Sequence, residues 1–162
     1  MSEVIKVGMA DLNTCVAPDR LTTLGLGSCI GICLYDKSKK IAGMAHIMLP
    51  SSEAVKNNSN KAKFADTAID ALIEKMESLG VTNKRSLVCK IAGGAQMFAF
   101  QSGNETMQVG KRNADAVREK MKQLGIKILA DETGGNFGRT IEFSAETGIL
   151  SIKTIGHGTK EL

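Results

Sequence analysis

Apolar residues recur along this chain with two different periods, and the period assigns the elements. At Phe64, Ala68, Ile69, Leu72, Ile73, Met76 and Leu79 they return every three or four positions, which predicts a helix with one apolar face, and Gly80 follows as a stop signal. Ala114, Val117, Met121 and Leu124 repeat the pattern before Gly125. Each helix is followed by an extended apolar stretch, 87–92 and 126–130, that runs into a glycine pair, Gly93-Gly94 and Gly134-Gly135. This is a faint α-β duplication, too weak to count as a repeat. Apolar runs bounded by polar turns predict further strands at 2–8, 30–35, 41–47, 140–144 and 149–155, the last two joined by Ala145-Glu146-Thr147-Gly148. Hairpins mixed with two helices predict an α/β (α+β) fold, a layered single domain over residues 1–162 with mixed β-sheets packed by two main helices.

The polar run from Asp36 to Lys40 reads as a tight turn between two of these strands. If the turn is centred between Lys37 and Ser38, paired positions sum to 75, and Cys29 stands opposite His46 on the same face. Side chains in such a pair have Cβ atoms about 5 Å apart, whereas a one-residue slip would send them to opposite faces. Cys29 closes the glycine-rich stretch Thr23-Leu24-Gly25-Leu26-Gly27-Ser28, read as a turn. A cysteine is a strong nucleophile only as thiolate, so a working thiol needs a neighbouring imidazole to take its proton. A lone histidine between Ala45 and Ile47 is by default a satisfied core residue, and it is Cys29 opposite that makes a base of it. His157, beside Gly156 and Gly158 in a polar tail, reads as solvated. A hydroxyl from Thr22 or Thr23 can accept the other ring N–H of His46 and fix its tautomer. Gly25 and Gly27 let the backbone turn sharply and bring the amides of Ser28 or Cys29 toward a substrate carbonyl, as an oxyanion hole requires.

Composition narrows the chemistry around that pair. With 162 residues, 43% of them apolar, the chain can fill one proper core. A net charge of +4 from 21 basic and 17 acidic residues, with no Trp and one Tyr, does not mark a nucleic-acid binder. The densest basic segment, Lys111, Arg112, Arg118, Lys120 and Lys122, has Asp115 and Glu119 interspersed, as on a solvated helix face. No apolar run reaches the roughly 18 residues of a membrane helix and the N-terminus lacks a signal-peptide layout, so no membrane insertion and a cytoplasmic location are expected. Cys15, Cys29, Cys33 and Cys89 are irregularly spaced, which favours reduced thiols over a disulfide framework.

No metal and no cofactor are expected. Cys29, Cys33, His46 and Cys89 lack the usual zinc-ligand spacing. Gly25 and Gly27 with Gly31 mimic a dinucleotide fingerprint, but that motif must open a helix, and Ile30 and Ile32 predict a strand. Cys33 reads as core, and Cys15 and Cys89 as inert. The polar run from Pro50 to Asn60 is either a flap beside the site or a plain surface connection. The stretch Thr133 to Gly138 ending in Arg139 is a second candidate site wall or an ordinary turn.

Leu24-Gly25-Leu26-Gly27-Ser28-Cys29, Gly43-Met44-Ala45-His46 and Met48-Leu49-Pro50 resemble the CheD family of chemoreceptor glutamine deamidases. The similarity continues through Gly93-Gly94-Ala95-Gln96-Met97-Phe98, Gly110-Lys111-Arg112-Asn113, Asp131 to Arg139 and Thr147-Gly148, in order and over nearly the whole chain. The resemblance implies a catalytic set of Cys29, His46 and Thr23, and a layered fold similar to that of toxin deamidases. It implies hydrolysis of selected glutamine side chains on bacterial chemotaxis receptors, and a partner, the CheC phosphatase, which acts on phospho-CheY. Met97 and Phe98, with Phe100, are candidate exposed contacts for a receptor or partner, or else core. The rival reading is a non-catalytic adaptor that regulates receptors and a CheC-type phosphatase by contact. A third is another thiol acyl-transfer enzyme, a transglutaminase or protease.

Overall fold

The computed structural model describes residues 2–53, 55–96 and 108–162. Among these, ten strands and two α-helices follow one another as β1 (Val4–Lys6), β2 (Asp11–Val16), β3 (Arg20–Leu26), β4 (Ile30–Asp36), β5 (Ile41–Ile47), α1 (Ala65–Ser78), β6 (Val88–Gly93), α2 (Val109–Leu124), β7 (Lys127–Thr133), β8 (Arg139–Ser144), β9 (Leu150–Thr154) and β10 (Gly158–Glu161). The strands form two mixed sheets, ordered β2-β5-β4-β6-β7 and β1-β3-β8-β9-β10. The fold is α/β, as the mix of periods implies, and no described helix is long and apolar enough to cross a membrane.

The layering follows from which strands are apolar on both faces. Every residue of β4 and of β5 is buried, because their sheet is covered twice. Ile30, Ile32 and Leu34 of β4, with Ala45 and Ile47 of β5, pack against Ala68, Ile69, Leu72 and Met76 of α1 and Val117 and Met121 of α2. The alternate residues Cys33, Tyr35, Ala42 and Met44 face the other sheet, meeting Leu21, Ile141, Phe143, Leu150 and Ile152. Helices, sheet and second sheet thus form three layers. Gly125 closes α2 in the left-handed conformation with φ +72°, as its position after the apolar stripe requires.

Three strands lay outside the sequence expectation. β2 carries Asp11, Asn13 and Thr14 and is only half-buried, and β10 is exposed throughout, so neither shows an apolar alternation. β3 corrects the reading of residues 23–28 as a turn: the chain is strand through Leu26, with a bulge between Thr23 and Leu26 where Gly25 takes φ +67°. The hairpin register is also corrected. Ile30 pairs with Ile47 and Gly31 with His46, so paired positions sum to 77, and Gly31, not Cys29, stands opposite His46. The connection is the four residues Lys37 to Lys40 with Lys40 at φ +54°, which recentres the hairpin. The shift is two residues, so Cys29 keeps the parity of Gly31 and the face is preserved.

The run after His46 is a pinned connection rather than a free flap. Ser52 donates from its amide and hydroxyl to Asp66 in the first turn of α1, and Asn60 donates to the Ala10 carbonyl at 3.0 Å.

Candidate active site

His46 points into the layer between the sheets, where Thr23 approaches from β3. The ring is completely buried and Thr23 is 1% exposed, while Cys29 is 9% exposed. Thr23 Oγ1 lies 2.7 Å from His46 Nδ1 and also 2.7 Å from the Val7 carbonyl oxygen. A carbonyl only accepts, so the single hydroxyl proton goes to Val7, and Oγ1 must accept from the ring. Nδ1 therefore carries the imidazole proton and Nε2 holds a lone pair. Nε2 is buried and has no hydrogen-bond partner among the described residues. Thr22, the other candidate for this role, gives its hydroxyl proton to the Ile141 carbonyl at 2.7 Å and leaves the ring to Thr23.

Cys29 shares the inter-sheet cluster with residues of both sheets. Burial raises its thiol above the ordinary 9.0, and burial lowers the His46 imidazolium below 6.5. Both shifts favour the uncharged forms, thiol and imidazole, and no hydrogen bond joins Cys29 Sγ to His46 Nε2.

The loop carrying Cys29 is anchored through three successive carbonyls. Gly27 accepts from the Ala95 amide at 2.8 Å, Ser28 from Asn113 Nδ2 at 3.0 Å and Cys29 from the Gly94 amide at 2.8 Å. Among the described residues, the amides of Gly27, Ser28 and Cys29 donate to no protein acceptor. Such donors suit a developing oxyanion. Behind the loop, the Gly93 carbonyl accepts from Arg139 Nη1 at 3.1 Å and from the Gly134 amide at 3.0 Å. The stretch ending in Arg139 is thus a support for the Cys29 loop. Arg139 is buried against Glu132 and its guanidinium covers the Phe137 ring at 4.6 Å.

Gly93 has no room for a side chain. A Cβ there would stand 2.2 Å from the Cys29 carbonyl oxygen, and φ is +114°. Gly93→Ala is expected to destabilise the fold by about 2–6 kcal/mol, the sum of backbone strain and overpacking, and to displace the thiol; urea unfolding and the rate of Cys29 alkylation by iodoacetamide measure the two.

The remaining candidates separate from this centre. Cys33 lies in the inter-sheet core and Cys89 on the helix side of the same sheet, and all four cysteines are free. Among the described residues no three His, Cys, Asp or Glu side chains are grouped to hold a metal ion. His157 is exposed and stacks on Phe137 at 4.5 Å. Met97 and Phe98, with Phe100, lie outside the described residues. A cavity of about 220 Å³ abuts Thr23, lined also by Lys6, Val7, Met9 and Leu24, and Met9 and Leu24 are 59% and 58% exposed. These two apolar side chains flank the strand that holds the imidazole. Asn113 escaped the sequence reading as a site residue. Its signal was an amide at a core position of α2, four residues before Val117 on the apolar stripe.

Residues 48–154 match the family model described as CheD chemotactic sensory transduction. That span begins after Thr23, Cys29 and His46. Relatives named chemoreceptor glutamine deamidase CheD align with the entire chain. The one from Halalkalibacterium halodurans is 54% identical over 163 residues and a probable one from Lachnoclostridium phytofermentans 58% identical over 162, each covering 100% of both chains. A probable one from Syntrophomonas wolfei is 56% identical over 160 residues, 99% of each chain.

Proposed function

Because the chain belongs to the CheD family, we propose that it hydrolyses glutamine side-chain amides on chemotaxis receptors to glutamate and ammonia, with Cys29 as nucleophile, His46 as base and Thr23 as the group that holds the ring. The observation that carries this reading is the Thr23 hydroxyl, which gives its proton to Val7 and so leaves the lone pair of His46 on Nε2.

Nε2 takes the proton from Cys29 Sγ as sulfur attacks the carboxamide carbon, and the amides of Ser28 or Cys29 hold the resulting oxyanion. The C–N bond breaks as imidazolium returns the proton to nitrogen, and ammonia leaves a thioester. Water then attacks the thioester, His46 takes its proton, and breaking the C–S bond restores the thiol and releases glutamate. One water is consumed and one ammonia formed per glutamine.

The test is incubation of the protein with the cytoplasmic fragment of a chemotaxis receptor. The mass of the fragment should rise by about 1 Da per modified glutamine with one ammonia released, and Cys29→Ala should abolish both. A backbone cut or a crosslink without mass gain would replace this reading by protease or transglutaminase chemistry. In the cytoplasm, the protein would also meet a CheC-type phosphatase, with Met97 and Phe98 as contacts. Loss of CheC binding in Met97→Ala and Phe98→Ala, with deamidation retained, is the expected outcome.

The two shifts set a pH dependence. His46 is charged less readily than a free imidazole, so kcat/KM should hold level through neutrality and fall only when acid protonates Nε2, below pH 6.5. The thiol is less acidic than usual, so alkylation of Cys29 by iodoacetamide should keep rising with pH beyond 9.0. An alkylation plateau already reached at about pH 6 would mean a thiolate–imidazolium pair and overturn the neutral starting state.

A further inference from the structure

Asn113 occupies a place on α2 that packing alone would give to an apolar side chain. Ala114, Val117 and Met121 are buried on the same helix, and Asn113 has no exposed surface. Its Nδ2 donates to the Ser28 carbonyl at 3.0 Å and to the Met48 carbonyl at 3.0 Å, while Oδ1 has no partner among the described residues. The amide is thus used as a pair of donors, and it leaves an acceptor buried and unmatched there, which a residue present for stability alone would avoid. Ser28 immediately precedes the thiol, and Met48 lies two residues after the imidazole. One side chain therefore ties the nucleophile loop to the strand of the base.

Across a trans peptide, the C=O of one residue and the N–H of the next point in opposite directions. With the Ser28 carbonyl drawn onto α2, the Cys29 N–H points away from α2, and it donates to no protein acceptor among the described residues. The neighbouring peptide planes are fixed the same way by the Ala95 and Gly94 amides.

We infer that Asn113 is a positioning residue for the deamidation: acting through the Ser28 carbonyl, it aims the Cys29 amide as an oxyanion donor without itself touching substrate. The inference rests on the deamidase reading, and the experiment separates the two. Wild type, Cys29→Ala, Asn113→Ala and Asn113→Asp are compared in kcat and KM for ammonia release from a receptor fragment. Cys29 alkylation by iodoacetamide is measured for the forms that keep the thiol, and thermal unfolding for all. Ala removes the amide, and Asp keeps its shape while replacing donors by acceptors.

The expected result is a kcat lowered by about 10²-fold in both Asn113 variants with KM little changed. Their alkylation rate stays at the wild-type value, because alkylation needs the thiol and its base but forms no oxyanion. Unchanged kcat, an effect confined to KM, or alkylation falling in step with kcat would each overturn the inference. So would loss of cooperative unfolding in both variants, which would make Asn113 a structural strut. If Cys29→Ala retains full release, the reading of Cys29 as the nucleophile falls and this inference with it. If Cys29→Ala is inactive while the Asn113 variants are fully active, only the inference falls.

Discussion

Cys29→Ala is expected to lower deamidation of a receptor fragment by at least roughly 10⁴-fold while leaving the melting curve nearly intact. The size of the effect follows from what alanine leaves behind. His46, Thr23 and the loop amides remain, but without sulfur there is no acyl intermediate, and water must attack the amide directly. Structurally the change is small, because it removes one sulfur atom from a side chain that is 9% exposed. Cys29→Ser should be nearly as inactive as alanine. A hydroxyl is far less acidic than the thiol, and burial has already lowered the basicity of His46, so the imidazole cannot take its proton effectively. Activity within about tenfold of wild type in either variant, measured as ammonia release, would remove Cys29 from the chemistry.

The residues of the proposed chemistry differed in how far the sequence disclosed them. Cys29 and His46 were legible because strand alternation reports which face a residue occupies, and parity survives a two-residue error in hairpin register. The register itself was not legible, since a polar run such as Asp36 to Lys40 fits turns of different length and only the observed pairing shows four connecting residues. Thr23 was harder to place. It reaches His46 from the other sheet, and packing between sheets leaves no periodic trace in either strand. The bulge at Gly25 hid β3 inside what looked like a glycine turn. Both helices were plain because each buries a stripe of the right period, yet the same stripe concealed Asn113, a polar residue at a core position.

Thr23→Val is expected to lower kcat by up to about 10⁴-fold, the loss that follows when a histidine base is held in the wrong tautomer. Valine keeps the branched shape that suits β3 but has no oxygen, so Val7 loses a donor and His46 Nδ1 loses its acceptor. A buried N–H without a partner costs about 1–3 kcal/mol, and the ring can avoid that cost by carrying its proton on Nε2 instead. Nε2 then meets the thiol as a donor and cannot take its proton. Alkylation of Cys29 near neutral pH should fall together with kcat, unlike the Asn113 variants, where the base is untouched. Thr23→Ser keeps the hydroxyl and should recover most of the activity. Nitrogen chemical shifts of His46 report the tautomer directly: wild type should show the proton on Nδ1 and Thr23→Val on Nε2. A valine variant that keeps at least half of wild-type kcat with the proton still on Nδ1 would show that Thr23 does not hold the ring for catalysis.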